Sequence, residues 1–233
     1  MIGLLQTTLP FPRLDVAIGV AENPGDIAVT LQILLVLTVL TLAPAILILM
    51  TSFTRTVIVL SFIRNALGTN QVPPNQVLIG LALFLTFFIM APSFSAVYSD
   101  AIVPYIGGEL AADEALAVGL EPIREFMFKH TREKDLGMFI SMQSDERPQS
   151  PDDVDTLTLI PAFVISELKT AFQLGFVIFI PFLVIDMIVA STLMAMGMMM
   201  LPPVMISLPF KILLFVLVDG WHLVVRSLLI SFS

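Results

Sequence analysis

Two runs of this chain carry no charged side chain at all, Ile27 to Thr54 and Asn65 to Ser99. Each exceeds the roughly 20 residues that an α-helix needs to cross a hydrocarbon core. Two further apolar runs hold few charges: Leu157 to Ala195 contains Glu167, Lys169 and Asp186, and Val204 to Ser233 contains Lys211, Asp219 and Arg226. In an apolar solvent backbone donors must be satisfied within the segment, so runs of this kind fold as helices. Composition agrees, with 57% hydrophobic and 13% charged residues, against about 45–50% and ~25% in soluble domains. A water-soluble globule of this size could not hide so much apolar side chain. The expected fold class is an all-α integral membrane-type protein. It has two long, kinked helical hairpins with an acidic extracytoplasmic helical segment between them.

The first hairpin is expected over 27–99, its two helices joined by a polar link from Asn65 to Gln76 that holds the Pro73–Pro74–Asn75 turn. The second covers 157–233 and turns at Gly197–Met198–Met199–Met200–Leu201–Pro202–Pro203. Between them, 100–156 is acidic. From Asp100 to Lys169 there are 14 acidic and 6 basic residues, a net of −8, which is the whole net charge of the chain. Arg55 and Arg64 flank the first link with no acid nearby, so the positive-inside rule assigns the link to the cytoplasm and the acidic segment to the outside. Residues 1–26 then form an extracytoplasmic N-terminal segment. Pro10, Pro12, Arg13 and Asp15 interrupt its apolar run, so these residues do not form a signal-peptide core.

Several function classes are excluded early. Without cysteine there are no disulfides, thiolate nucleophiles or cysteine-bound metals. His130 and His222 are too far apart in sequence for a local metal motif. No phosphate-cradling loop is present, and no basic patch can neutralise nucleic-acid phosphates. No cofactor and no enzymatic activity are expected.

Pro44, Pro92, Pro181 and Pro209 fall inside apolar runs, where proline removes a backbone donor and tends to kink a helix. Glu167, Lys169, Asp186, Lys211 and Asp219 lie in or beside apolar helix. Each would cost about 2.5–3.5 kcal/mol at a bilayer centre, so they are expected to face protein and not lipid. Buried charges of this kind fix register between helices or subunits, or pair locally within one hairpin. Glu167 and Lys169, two apart, cannot share a helix face. Arg55 and Arg64 read as cytoplasmic-side anchors. Phe126 and Phe139 are thirteen apart, roughly 220° out of phase on a straight helix, and so need two short helices or two partners. They serve either a subunit contact or a small satellite core. The turn Met196–Gly197–Met198–Met199–Met200 is the sharpest feature. Methionine repacks around objects of varied shape, and a ring of such turns would be a soft constriction that gates by dewetting. Gly197, Pro202 and Pro203 would hold the turn out of helix. Ordinary gap-filling core is the competing reading, and the residues alone favour it.

Longer blocks narrow the choice. Phe53-Thr54-Arg55-Thr56-Val57-Ile58-Val59-Leu60-Ser61-Phe62-Ile63-Arg64-Asn65-Ala66-Leu67-Gly68 and Pro73-Pro74-Asn75-Gln76-Val77-Leu78-Ile79-Gly80 resemble signatures of the FliP family. So do Ser166-Glu167-Leu168-Lys169-Thr170-Ala171-Phe172-Gln173, Met194 through Pro203, Leu208-Pro209-Phe210-Lys211 and Val218-Asp219-Gly220-Trp221. The resemblance implies a core subunit of the flagellar type III protein export gate in the bacterial inner membrane, at the flagellar basal body. It implies a pentameric ring with FliQ and FliR subunits, the further apparatus components FlhA and FlhB, and transported unfolded flagellar proteins. It also implies hairpins packed on neighbouring subunits, partly on the periplasmic side of the bilayer. On the same ground Met196, Met198, Met199 and Met200 are identified with the family's pore gasket. The alternatives are the homologous injectisome gate subunit and, in other classes, an ion-coupled transporter built on Asp186 and Lys211 or an intramembrane hydrolase.

Overall fold

The computed structural model describes residues 24–69, 71–143, 148, 150–198 and 200–232. Most of the expected N-terminal segment, residues 1–23, lies outside the described residues, as does part of the polar linker before Pro151. All regular structure among the described residues is helical. The helices are α1 (Pro24–Met50), α2 (Phe53–Leu67), α3 (Asn75–Ile89), α4 (Ala91–Ala96), α5 (Val103–Ile106), α6 (Ala112–His130), α7 (Glu133–Gln143), α8 (Thr156–Ala195), α9 (Pro203–Leu217) and α10 (Gly220–Ile230). A π-helical turn, Val97–Ile102, joins α4 to α5, and a 3₁₀ turn, Pro151–Asp153, precedes α8.

The chain divides into two compact units, residues 1–43 and 44–233. In the first, the described residues belong to α1, and Ile33, Leu34, Val36, Leu37 and Leu40 are exposed. The second is built on the packing of α2 against α8. Val59, Leu60, Ile63 and Ala66 from α2 meet Leu78 and Ala82 from α3, Ala171 and Phe182 from α8, and Val224 and Leu228 from α10 in one core. The helices approach closely at Gly175, where an added Cβ would stand 2.6 Å from the Phe62 ring. A smaller core gathers Met50, Met127, Val154, Leu159 and Phe163, with Phe126, Leu136 and Ile140 packed on it.

Local chemistry sets several boundaries. Helix α2 stops at Gly68, whose φ of +74° is a left-handed conformation that glycine adopts without steric cost, and whose N–H bonds to Asn65 O. The Asp155 side chain accepts from Leu157 N–H and caps α8. Pro44, Pro181 and Pro209 lie inside continuous helices, whereas Pro92 occupies the first turn of α4, where its missing N–H costs least. Two of the sharp bends fall at Met90, directly ahead of the helix that Pro92 opens, and at Val218–Asp219. There Asn75–Ile89 meets Ala91–Ile106 at 60°, and Pro203–Leu217 meets Gly220–Ile230 at 65°. The first polar link is also shorter than expected. Helix α2 carries Arg55 and Arg64 within it and runs to Leu67, and α3 starts at Asn75. The apolar helix before the acidic segment continues past Ser99 through the π turn to Ile106.

Helix α8 has 40 residues, about 60 Å at 1.5 Å per residue and twice the ~30 Å of a hydrocarbon core. Its two halves differ. Thr158, Leu159, Ala162, Phe163, Ser166, Glu167 and Ala171 of the first half are buried in the protein. Phe176, Val177, Ile180, Val184, Met187 and Ile188 of the second half are exposed and apolar, and so need lipid or another protein around them. By length and composition α8 can cross a membrane alone. The bent pairs α3 with α4–α5 and α9 with α10 qualify only when each pair is taken together.

Candidate functional site

The methionine turn begins where α8 runs out of helix. Gly197 takes a φ of +73°, its N–H bonds to Met194 O at 3.0 Å, and Met198 N–H bonds to Leu193 O at 3.0 Å. These bonds wrap the last carbonyls of α8 and reverse the chain. Pro202 is extended and Pro203 opens α9, the position where proline's fixed φ suits a helix. Met196 and Met200 are not filling gaps in this chain. Met196 is 64% exposed and Met200 96% exposed, and Met198 is half-buried. Met199 lies outside the described residues. With Met196 and Met200 exposed, an apolar tip is therefore presented at the end of two packed helices.

Below the tip, Lys211 on α9 reaches back to α8, its Nζ 2.6 Å from Asp186 Oδ2. Ser207 Oγ donates to the other carboxylate oxygen. Lys211 is 3% exposed, so this pair supplies most of its solvation. Phe182 and Phe215 pack together farther along the same two helices. Asp219 has no place in this cluster. It is exposed and sits with φ +50° at the elbow between α9 and α10.

A second charge cluster lies deep between α2, α8 and the residues after α10. Arg55 Nε donates to Glu167 Oε2 at 2.9 Å, and Nη2 donates to Oε1 in the fork-to-fork arrangement that guanidinium and carboxylate favour. Nη1 donates to Ser231 O at 2.7 Å and to Ser231 Oγ at 3.0 Å. The guanidinium carbon stands 3.8 Å from the centre of the Phe232 ring. Arg55 is 2% exposed and Glu167 is fully buried. Arg55, read from sequence as a cytoplasmic-side anchor, is thus an interior residue whose donors Glu167 and Ser231 together meet. Arg64 is half-buried, with Nη1 donating to Asn75 Oδ1 across the first link. Lys169, two residues from Glu167, faces outward and is exposed.

A third polar group joins α7 to α8. Ser166 Oγ accepts from Arg132 N–H at 3.0 Å and donates to Asp135 Oδ2 at 2.7 Å, and Arg132 also binds Asp135. Desolvation works to raise the Asp135 carboxyl, but hydrogen bonds from Ser166 and Arg132 and the charges of Arg132 and Lys169 outweigh it. The net position is below the ordinary carboxylate value. Phe126 and Phe139 fall on separate helices, α6 and α7, with the break at Thr131–Arg132. Phe126 packs on the smaller core and on His130 and Phe232, while Phe139 is half-buried on α7 outside that cluster. Ser166, Ser207, Ser231 and the Arg132–Asp135 pair were not singled out from sequence. Serine is too common to flag, and the partners of these three serines lie 21 or more residues away, whereas Arg132 and Asp135 are only three apart. Among the described residues no group of histidine and carboxylate side chains is placed to hold a metal ion.

Comparison with known proteins gives a consistent result. The family model described as "FliP family" matches residues 36–228. The chain is 63% identical over 212 residues to the flagellar biosynthetic protein FliP of Bacillus subtilis (strain 168), covering 91% of this chain and 96% of that protein. It is 57% identical to the protein of the same name from Pectobacterium carotovorum subsp. carotovorum, covering 87% and 79%. With that of Aquifex aeolicus (strain VF5) it shares 47% identity, covering 95% and 92%.

Proposed function

The chain belongs to the FliP family, and on that premise we propose that it is a pore-forming core subunit of the flagellar type III protein export gate. In this reading several copies form a ring, five by resemblance to the family, with FliQ and FliR subunits and with FlhA and FlhB nearby. The ring sits in the inner membrane at the flagellar basal body, partly raised to the periplasmic side. Unfolded flagellar proteins pass through it. Residues 27–99 and 157–233 serve as apolar helical hairpins and 100–156 as the acidic periplasmic segment, in which Phe139 contacts a neighbouring subunit while Phe126 stays in the chain's own smaller core. Arg64 stays on the cytoplasmic side. Asp186 with Lys211, and Glu167 with Arg55, hold the helices in register, and the exposed Lys169 and Asp219 address neighbouring subunits.

One observation carries the proposal: Met196 and Met200 stand exposed at the tip of α8 and α9 on a backbone reversal built by Gly197. Exposed methionine is poorly placed for water but well suited to a closable apolar constriction, because thioether chains meet one another when the passage is empty and yield to a passing polypeptide. The exposed apolar half of α8 supports the same reading, since neighbouring subunits would cover it. The proposal is tested by replacing Met198, Met199 and Met200 with alanine and measuring ion conductance across membranes that contain the assembled complex. Assembly with a marked leak to small ions is expected. An assembled complex with unchanged conductance would refute the gasket.

A further inference from the structure

His130 ends α6 in an aromatic seat next to the Arg55 cluster. Its ring centre lies 4.6 Å from that of Phe126 and 5.2 Å, edge-on, from that of Phe232. Phe232 also stacks with Phe126, their centres 6.1 Å apart, and lies against the Arg55 guanidinium. The segment Ser231–Phe232 is therefore held at two points: by Arg55 through the Ser231 oxygens, and by a ring sandwich that includes the imidazole. Beside it opens a cavity of about 310 Å³ lined by Pro92, Ser93, Glu125, Lys129, His130 and Phe232, among others.

We propose that His130 is an acid-sensitive latch on this segment, neutral when Ser231–Phe232 is seated and releasing it when protonated. The charges that face the imidazole explain the direction. Arg55 approaches from α2, its charge partly offset by Glu167 of α8. Lys129 and Glu125 come from His130's own helix, and both line the cavity. Burial opposes the imidazolium first, then the Arg55 and Lys129 charges, and together they hold the imidazole at about 4 where 6.5 is ordinary. The neutral form thus belongs to the seated state. The stabilisation it gives is complete above pH 6.5, shrinks as pH falls, and is gone below about 4, since the released imidazole takes up its proton first. The adjoining cavity gives the Phe232 ring somewhere to move without crossing a packed core. Histidine is suited to such a device because modest changes in environment carry it across the acid side of neutrality.

The test is hydrogen exchange of the residues from Ser227 to Phe232 in the full-length protein, assembled in detergent, from pH 7 to 4 and corrected for intrinsic rates. Protection in the unaltered protein is expected to fall on the order of tenfold across that range, less than the full shift permits because the imidazole is partly exposed. His130→Gln, which cannot take up the proton, should hold its protection constant. His130→Lys, charged throughout, should be unprotected already at pH 7 while retaining its helical circular dichroism. Unchanged protection in the unaltered protein, or an equal loss in His130→Gln, would overturn the proposal. The latter result would assign the acid response to Glu167.

Discussion

Removing Glu167 separates two accounts of the Arg55 cluster. A solvent-exposed ion pair is worth about 0–1 kcal/mol, whereas removing one partner of a buried pair costs about 3–5 kcal/mol because the other charge is stranded. With Arg55 at 2% exposure and Glu167 at 0%, the second case applies. Glu167→Ala leaves the guanidinium with the two Ser231 oxygens and the Phe232 ring, which meet one of its three donor nitrogens. A loss of about 3–5 kcal/mol is therefore expected for that single change, and a similar loss for Arg55→Ala. The double replacement Arg55→Met and Glu167→Met, which keeps volume and removes both charges, should cost much less than the sum. The loss can be read from unfolding in mixed micelles of rising dodecyl sulfate content, followed by far-ultraviolet circular dichroism. A cost below about 1 kcal/mol for Glu167→Ala would refute the interior placement of the pair.

Gly175→Ala forces a methyl group against Phe62 and should destabilise by about 1–3 kcal/mol, with partial recovery when Phe62→Leu is added. The same micelle titration checks both, and an additive double variant would contradict the close approach of α2 and α8. Asp135 is held below its ordinary value of 3.8, so the carboxylate contributes stability above that pH and loses it as pH falls through and past it. The difference in melting temperature between the unaltered protein and Asp135→Asn should accordingly be constant from pH 7 to about 5 and close below pH 4. A difference that widens with acid would reverse the assigned sign.

Much of the helical plan was legible before the structure. The uncharged runs demand helices, and Gly197 with the Pro202–Pro203 pair around the methionines marks a reversal. What escaped notice depends on contacts between distant residues. Two of the sharp bends fall just ahead of Pro92 and Gly220 while Pro44, Pro181 and Pro209 stay inside helix, so residue type alone does not decide which breaker bends the chain. Arg55 resembles a loop-flanking anchor when only its local sequence is read. Its partner, Glu167, lies 112 residues later, and no local period encodes that meeting. The split of α8 into a protein-buried half and an exposed half is likewise invisible in hydropathy, since both halves are apolar. The break between α6 and α7 is different: the phase of Phe126 and Phe139 already requires two helices or two partners.

The account rests on the oily helices packing around a passage that the methionine turn closes. A density map of the purified, assembled particle, resolved well enough to trace α8 into α9, tests this most directly. The account predicts that Met198 to Met200 from every copy converge on the central axis. Finding those turns at the outer rim, with no channel along the axis, would contradict it.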